Sequence, residues 1–128
     1  MEKKMEEVKS YFLDTYALME IIKENKDYGK FRDTINFTGL MNLLELHYII
    51  SKNFDFEKAD NIINSLKRIL VSMTTEDIKE ASRFRVKNIK QKFSYIDCLG
   101  YCAAKNRKLK FLTGDKEFKY IDDVEFVK

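Results

Sequence analysis

The stretch Leu109-Lys110-Phe111-Leu112-Thr113-Gly114-Asp115-Lys116-Glu117-Phe118 decides how the chain folds. An apolar run of strand length stops at Thr113-Gly114, and a carboxylate follows at once. In an open α/β sheet, ligands and chemistry gather just outside the carboxyl ends of the strands. Asp115 stands at such an end, behind a glycine expected to let the backbone turn sharply. Alone, Gly-Asp after a strand is also ordinary turn chemistry. It becomes informative if other acids reach the same rim.

Upstream, Tyr11-Phe12-Leu13 ends abruptly in Asp14-Thr15, and its aromatic content predicts a strand. Asp14 or Thr15 then caps a helix to about residue 23, with Ala17, Leu18, Ile21 and Ile22 as its buried stripe. Residues 24–37 are polar, contain Gly29, and read as a loop with a short helical piece. Thr38 is expected to open a second helix over residues 39–52. Its Leu40, Leu43, Leu44, Leu46, Ile49 and Ile50 cover more than one face and predict a well-buried helix. Glu45 lies in its middle, and an unpaired acid in a buried helix is costly; an exposed edge position or a salt-bridge partner explains it equally well. A helix over residues 54–67 leads into Ile69-Leu70-Val71, read as a strand. Thr74-Thr75-Glu76-Asp77 starts a basic helix reaching about residue 89. Ser94, with Asp97 three residues on, starts another, which Asn106, Arg107 and Lys108 close. Val124-Glu125-Phe126-Val127 makes a last strand. Strands alternating with helices, without a hairpin signal, predict an α/β fold whose parallel sheet is covered on both faces. With no proline, linker or repeat, residues 1–128 read as one domain.

A chain of 128 residues with 45% hydrophobic content suits one globular core. No apolar run approaches the ~20 residues that span a bilayer, and the charged leader 1–9 has no export pattern. A soluble, cytoplasmic protein with no membrane partner is expected. Cys98 and Cys102, four apart in one predicted helix, fit neither a disulfide framework nor a Cys-x-x-Cys metal knuckle; they read as small buried thiols in a reducing compartment. The single histidine, His47, leaves little for zinc or His-based catalysis and reads as structural. Hydrolytic chemistry would have to come from carboxylates and a metal. The net charge of +3 hides an asymmetry: −3 over residues 1–64 and +6 over 65–128. A solvated helix face and a phosphate-facing surface both account for the basic half.

Four segments together carry a family resemblance: Phe12-Leu13-Asp14-Thr15, Leu43-Leu44-Glu45-Leu46, Ser94-Tyr95-Ile96-Asp97 and Leu112-Thr113-Gly114-Asp115-Lys116-Glu117-Phe118. The ordered set resembles the PIN domain family, and within it the small VapC-like toxins of prokaryotic toxin–antitoxin pairs. Each motif is short; the quartet in order, over nearly the whole chain, is far more specific. The resemblance implies a single PIN-like domain with a short central parallel sheet of four to five strands flanked by helices, three layers in all. It implies that Asp14, Glu45, Asp97 and Asp115 form an acidic pocket for Mg2+ or Mn2+, and that the protein is a metal-dependent endoribonuclease. Thr15, Ser94 and Thr113 match polar positions beside the acids. Glu117 falls where many members carry a further Asp, and its longer side chain makes it a candidate for holding metal through water. A cognate antitoxin and a homodimer are implied by the family alone.

The physical chemistry is consistent with that resemblance. Two carboxylates about 4 Å apart repel by roughly 4 kcal/mol at an effective dielectric near 20, so four together call for protons or cations. Hard oxygen ligands select magnesium or manganese over zinc, and a metal-bound water can attack a phosphodiester. Arg83, Arg85, Lys87, Lys90 and Lys92, just before Asp97, and Lys116 beside Asp115 are the expected RNA grip. No aromatic RNA-reading motif of the RRM type is present, which leaves RNA shape as the basis of choice. A haloacid dehalogenase-type phosphatase needs a second acid two residues after its nucleophile, where this chain has Tyr16. A receiver-type phospho-acceptor needs a paired acid and a late Lys that are not evident. The remaining rival is a PIN-like domain that binds RNA or protein without catalysis.

Overall fold

The computed structural model describes residues 9–128; the charged leader falls mainly in residues 1–8, outside the described residues. Four strands form one wholly parallel sheet: β1 (Ser10–Leu13), β2 (Ile35–Phe37), β3 (Lys110–Thr113) and β4 (Val124–Phe126), in the order β2-β1-β3-β4. Among the described residues five α-helices cover it: α1 (Thr15–Ile22), α2 (Leu40–Asn53), α3 (Phe56–Leu66), α4 (Thr75–Lys87) and α5 (Tyr95–Asn106). Alternate residues of the central strands feed two separate cores, as the two-residue side-chain period requires. Tyr11 and Leu13 of β1 and Leu112 of β3 join Leu18, Leu43, Leu46 and Ile50 on the face under α1 and α2. Phe12 and Phe111 point the other way, onto Tyr101, Cys102 and Ala103 of α5. Gly100 keeps α5 close, since a Cβ there would stand 3.0 Å from Phe12 Cε1. The three-layer α/β/α expectation holds.

The order of the strands decides where a ligand can bind. The chain leaves β1 to one side for β2, then returns through α2–α5 to β3 on the other side. The crevice between the carboxyl ends of β1 and β3 is therefore the topological switch point of the sheet. Leu13 pairs with Leu112, and the Asp14 N–H donates to the Leu112 carbonyl at 3.2 Å.

Several local expectations need correcting. Ile69-Leu70-Val71 is not a strand: residues Lys67–Ile69 form a 3-10 turn, and only Leu70 bridges the sheet edge, opposite Thr38. The edge strand β2 lies in the segment read as a loop. Three residues with a central Asn and a 49% exposed Ile35 carry no usable period. Thr38 does not cap α2. Its hydroxyl donates to the Leu13 carbonyl at 2.7 Å, tying the end of β1 to the start of α2, while Gly39 takes the cap position without a side-chain bond. The helix α2 is also less buried than its leucines suggest, with Leu40 and Leu44 exposed. Finally, Gly114 has no positive φ. It is glycine because a Cβ would overlap the Tyr16 ring and the Val127 carbonyl. The helix read over residues 54–67 starts at Phe56, capped by Asp55, with Phe54 closing α2. Three helix starts are as read: Asp14, Thr74 and Ser94 are N-caps, the last two closing capping boxes with Asp77 and Asp97.

Candidate functional site: an acidic cleft at the switch point

A cleft of about 660 Å³ opens over the carboxyl ends of β1 and β3, and Asp14, Glu45, Asp97 and Asp115 all line it. Four separate parts of the chain bring them there. Asp14 and Asp115 leave the two adjacent strands, Asp97 occupies the first turn of α5, and Glu45 reaches across from the middle of α2. Each of the three aspartates uses one oxygen to cap a helix or turn. Asp14 Oδ1 accepts from Ala17 N at 2.9 Å, Asp97 Oδ2 from Ser94 N at 2.9 Å and Asp115 Oδ1 from Glu117 N at 3.0 Å. Capping and cation binding are thus not alternatives, because an ionised carboxylate offers two oxygens and about four lone-pair sites. The caps fix each side chain against the cleft.

Glu45 is held by side chains instead. Thr15 Oγ1 donates to Glu45 Oε1 at 2.6 Å, and Asn42 Nδ2 donates to the same Thr15 oxygen at 3.2 Å. Thr15 has one proton to give; with Asn42 occupying a lone pair, that proton goes to Glu45. The chain Asn42–Thr15–Glu45 therefore joins α1 to α2 across the cleft. Thr113 is fully buried and turns its hydroxyl toward Asp14, while also accepting from Asp115 N at 3.0 Å.

The electrostatics record crowding of like charge. Asp14 is 4% exposed. Burial first, then the charges of Asp97 and Asp115, push its carboxyl up to about 7, against lowering hydrogen bonds from Thr113 and Ala17. Burial also raises Asp97, aided by Asp115 and Glu45. Among the described residues, no three His, Cys, Asp or Glu side chains stand in a ready-made cation cage. The cleft is open, and a cation there would keep part of its water shell.

Other expected residues are dispersed. Ser94 caps α5, and Glu117 is not among the residues lining the cleft. Of the basic set, only Lys116 lines the cleft. Arg83 pairs with Glu80 at 2.8 Å and, with Lys87, lines a separate cleft between α4 and α5. Arg85 lies over the Tyr95 ring, and Lys90 and Lys92 are exposed before α5. His47 pairs with Asp60 at 2.7 Å between α2 and α3, as a structural residue would. Cys98 and Cys102 are buried free thiols, raised by burial to about 11 and about 12.

Tyr16 and Glu20, on one face of α1, and Lys23 at its C-cap also line the cleft, as does Lys128; none of them belongs to the motifs singled out in the sequence. Their i, i+4, i+7 spacing, opposite the Ala17–Leu18 stripe, was the available signal. Asn42 was missed too; a polar residue three before Glu45 in a leucine-rich helix lies on the same face.

The PIN domain model matches residues 11–124. No curated protein sequence matches the chain significantly. Among solved structures, the chain resembles VapC20 of Mycobacterium tuberculosis, a sarcin–ricin-loop-cleaving toxin, at 14% identity and a TM-score of 0.73 over 91% of this chain and 96% of that one. DNA-bound VapBC from Salmonella typhimurium gives 18% identity and a TM-score of 0.73, covering 94% and 98%. VapBC-1 of nontypeable Haemophilus influenzae gives 16% and 0.70, covering 93% and 97%. At these identities the likeness is one of fold. With the family model matching residues 11–124 of 128, this chain belongs to the PIN domain family.

Proposed function

We propose that the protein is a metal-dependent endoribonuclease, the toxin of a toxin–antitoxin pair. The observation that carries the reading is the meeting of Asp14, Glu45, Asp97 and Asp115 in one cleft at the sheet's switch point. The donor set fits a hard divalent cation: five carboxylates, Glu20 included, and two hydroxyls, with no thiolate or imidazole, and burial together with neighbouring like charge already raising Asp14 and Asp97. Magnesium or manganese, when bound, supplies a water of lowered pKa and positive charge toward the phosphate under attack. Asp14, Asp97 and Asp115 would hold the ion, and Glu45, fixed by Thr15, would orient or deprotonate the attacking water. Lys116, Lys23 and Lys128 on the cleft wall would meet the RNA phosphates. Glu117 would act at most through water.

The antitoxin partner is supported by the VapBC complexes that share this fold. Pairing of two copies would suit the exposed Leu40, Leu44 and Tyr48 of α2. The second reading is a non-catalytic binding module, in which the caps would hold the aspartates at the cleft without a cation. RNA cleavage in magnesium separates the two: the wild type is expected to cut and folded Asp97→Asn and Asp115→Asn proteins to lose at least about 100-fold. Equal cleavage by those variants would sink the nuclease reading.

A further inference from the structure

Tyr95 is the first residue of α5, two positions before Asp97, and it is 75% exposed. Its neighbour Phe93 behaves as aromatics usually do, 4% exposed and packed on Phe84 and Phe118. Tyr95 instead stands out from the body with a cation over its ring. The Arg85 guanidinium carbon lies 4.2 Å from the ring centroid, and Arg85 Nε donates to the Phe93 carbonyl at 3.3 Å. The arginine is thus anchored at one end and braces the ring at the other. A tyrosine braced on one side and open on the rest is a preformed planar surface.

We infer that Tyr95, backed by Arg85, is a stacking subsite for an unpaired nucleobase of the RNA substrate. The inference rests on the ribonuclease reading and adds where the strand is gripped. Helix geometry puts the Tyr95 and Asp97 Cα atoms about 5 Å apart. Residues two apart on a helix do not face one another, and Tyr95 lies outside the lining of the acidic cleft, so a base on Tyr95 belongs to a nucleotide beyond the one whose phosphate faces Asp97. Stacking on an exposed aromatic, with an arginine adding cation–π attraction, holds single strands without demanding a particular base. The exposed Lys90 and Lys92, in the segment leading to α5, supply backbone charge beside it. Duplex bases have no free face to offer, so the subsite selects loops and single strands.

Fluorescence anisotropy with a labelled 12-nucleotide oligouridine, and with the same strand carrying abasic positions, tests the subsite on the full chain. Tyr95→Ala is expected to weaken oligouridine binding by roughly 5- to 150-fold, with Tyr95→Phe within about twofold of wild type. The abasic strand is expected to bind wild type and Tyr95→Ala alike. Circular dichroism confirms that these surface variants fold. Wild-type binding by Tyr95→Ala, equal loss in the Phe variant, or full-strength binding of the abasic strand each overturns the inference. A wild-type chain that cleaves RNA while showing any of those results loses the stacking subsite alone. One that neither binds nor cleaves RNA loses the ribonuclease reading as well.

Discussion

Asp14 feels two opposing pulls at the end of β1. Burial and the neighbouring Asp97 and Asp115 raise its carboxyl to about 7, while Thr113 and the Ala17 N–H draw it down. A carboxyl whose folded pKa lies above its unfolded value holds its proton more tightly when folded. The stability that proton lends is complete below the unfolded value and is lost as pH rises through the folded one. Metal-free protein is therefore expected to lose a few kcal/mol between about pH 4 and about pH 8, with Asp97 acting in the same direction. Urea unfolding across that range measures it, and Asp14→Asn should flatten the fall; an unchanged slope contradicts the assignment. The relay behind Glu45 makes a second expectation. Thr15→Val keeps the shape but removes the hydroxyl that serves both Glu45 and the buried Asn42. A cost of about 1–3 kcal/mol is expected in unfolding, with a weakened response to added manganese, whereas Thr15→Ser should preserve both. A Val variant that keeps the full manganese response would remove the relay's functional meaning.

Among the elements, α4 and α5 are clamped by a pair outside the cleft. Asp77, 1% exposed, accepts from both terminal nitrogens of Arg107 at 3.0 and 2.8 Å and from Asn106 Nδ2 at 2.9 Å. Those bonds, led by Arg107, hold Asp77 well below the usual carboxylate range. The fastening ties the C-terminal end of α5 to the first turn of α4, while Asp97 lies in the first turn at the opposite end of α5. Arg107→Met leaves a buried acid without its counter-charge, though still bonded to Asn106 and the Thr74 N–H, and is expected to cost about 3–5 kcal/mol in urea unfolding; a loss under 1 kcal/mol would show the clamp to be ornamental. At the strand–turn junction, Gly114→Ala is expected to destabilise by about 1–3 kcal/mol, because the Val127 carbonyl is backbone and cannot move aside as a side chain can. The pattern of legible and illegible elements follows from range. Caps at Asp14, Thr74 and Ser94 involve partners within three residues and could be read directly. The strand β2 exists because its backbone pairs with β1, across a gap of more than twenty residues, so nothing local announced it. Thr38 looked like a cap and is a tether to Leu13; the Gly114 requirement comes from Tyr16 and Val127, not from its own backbone. The four acids were legible as a resemblance, while Asn42 and Tyr16 were marked only by helical spacing, and their place beside the acids comes from α1 packing against α2.

At the scale of the molecule, the strand order matters more than any one contact. Because β1 and β3 are neighbours while their connections run to opposite sides, two strand ends deliver carboxylates to one crevice, and α2 and α5 add one each. The basic residues are not concentrated there: Arg83 and Lys87 face another cleft, leaving Lys23, Lys116 and Lys128 beside the acids. RNA binding is accordingly expected to fall with salt, with a modest slope of roughly 3–5 in log–log form; salt-independent affinity would speak against a phosphate grip. If the four acids form one cation site, a divalent cation must stabilise the native protein, and thermal unfolding against manganese concentration measures that gain. The native protein should gain about 2.7 kcal/mol at one hundred times its dissociation constant. Asp14→Asn and Asp97→Asn should lose most of that gain even if they melt higher without metal. No stabilisation of the wild type, or the same gain in both variants, would mean that the four acids do not form one cation site.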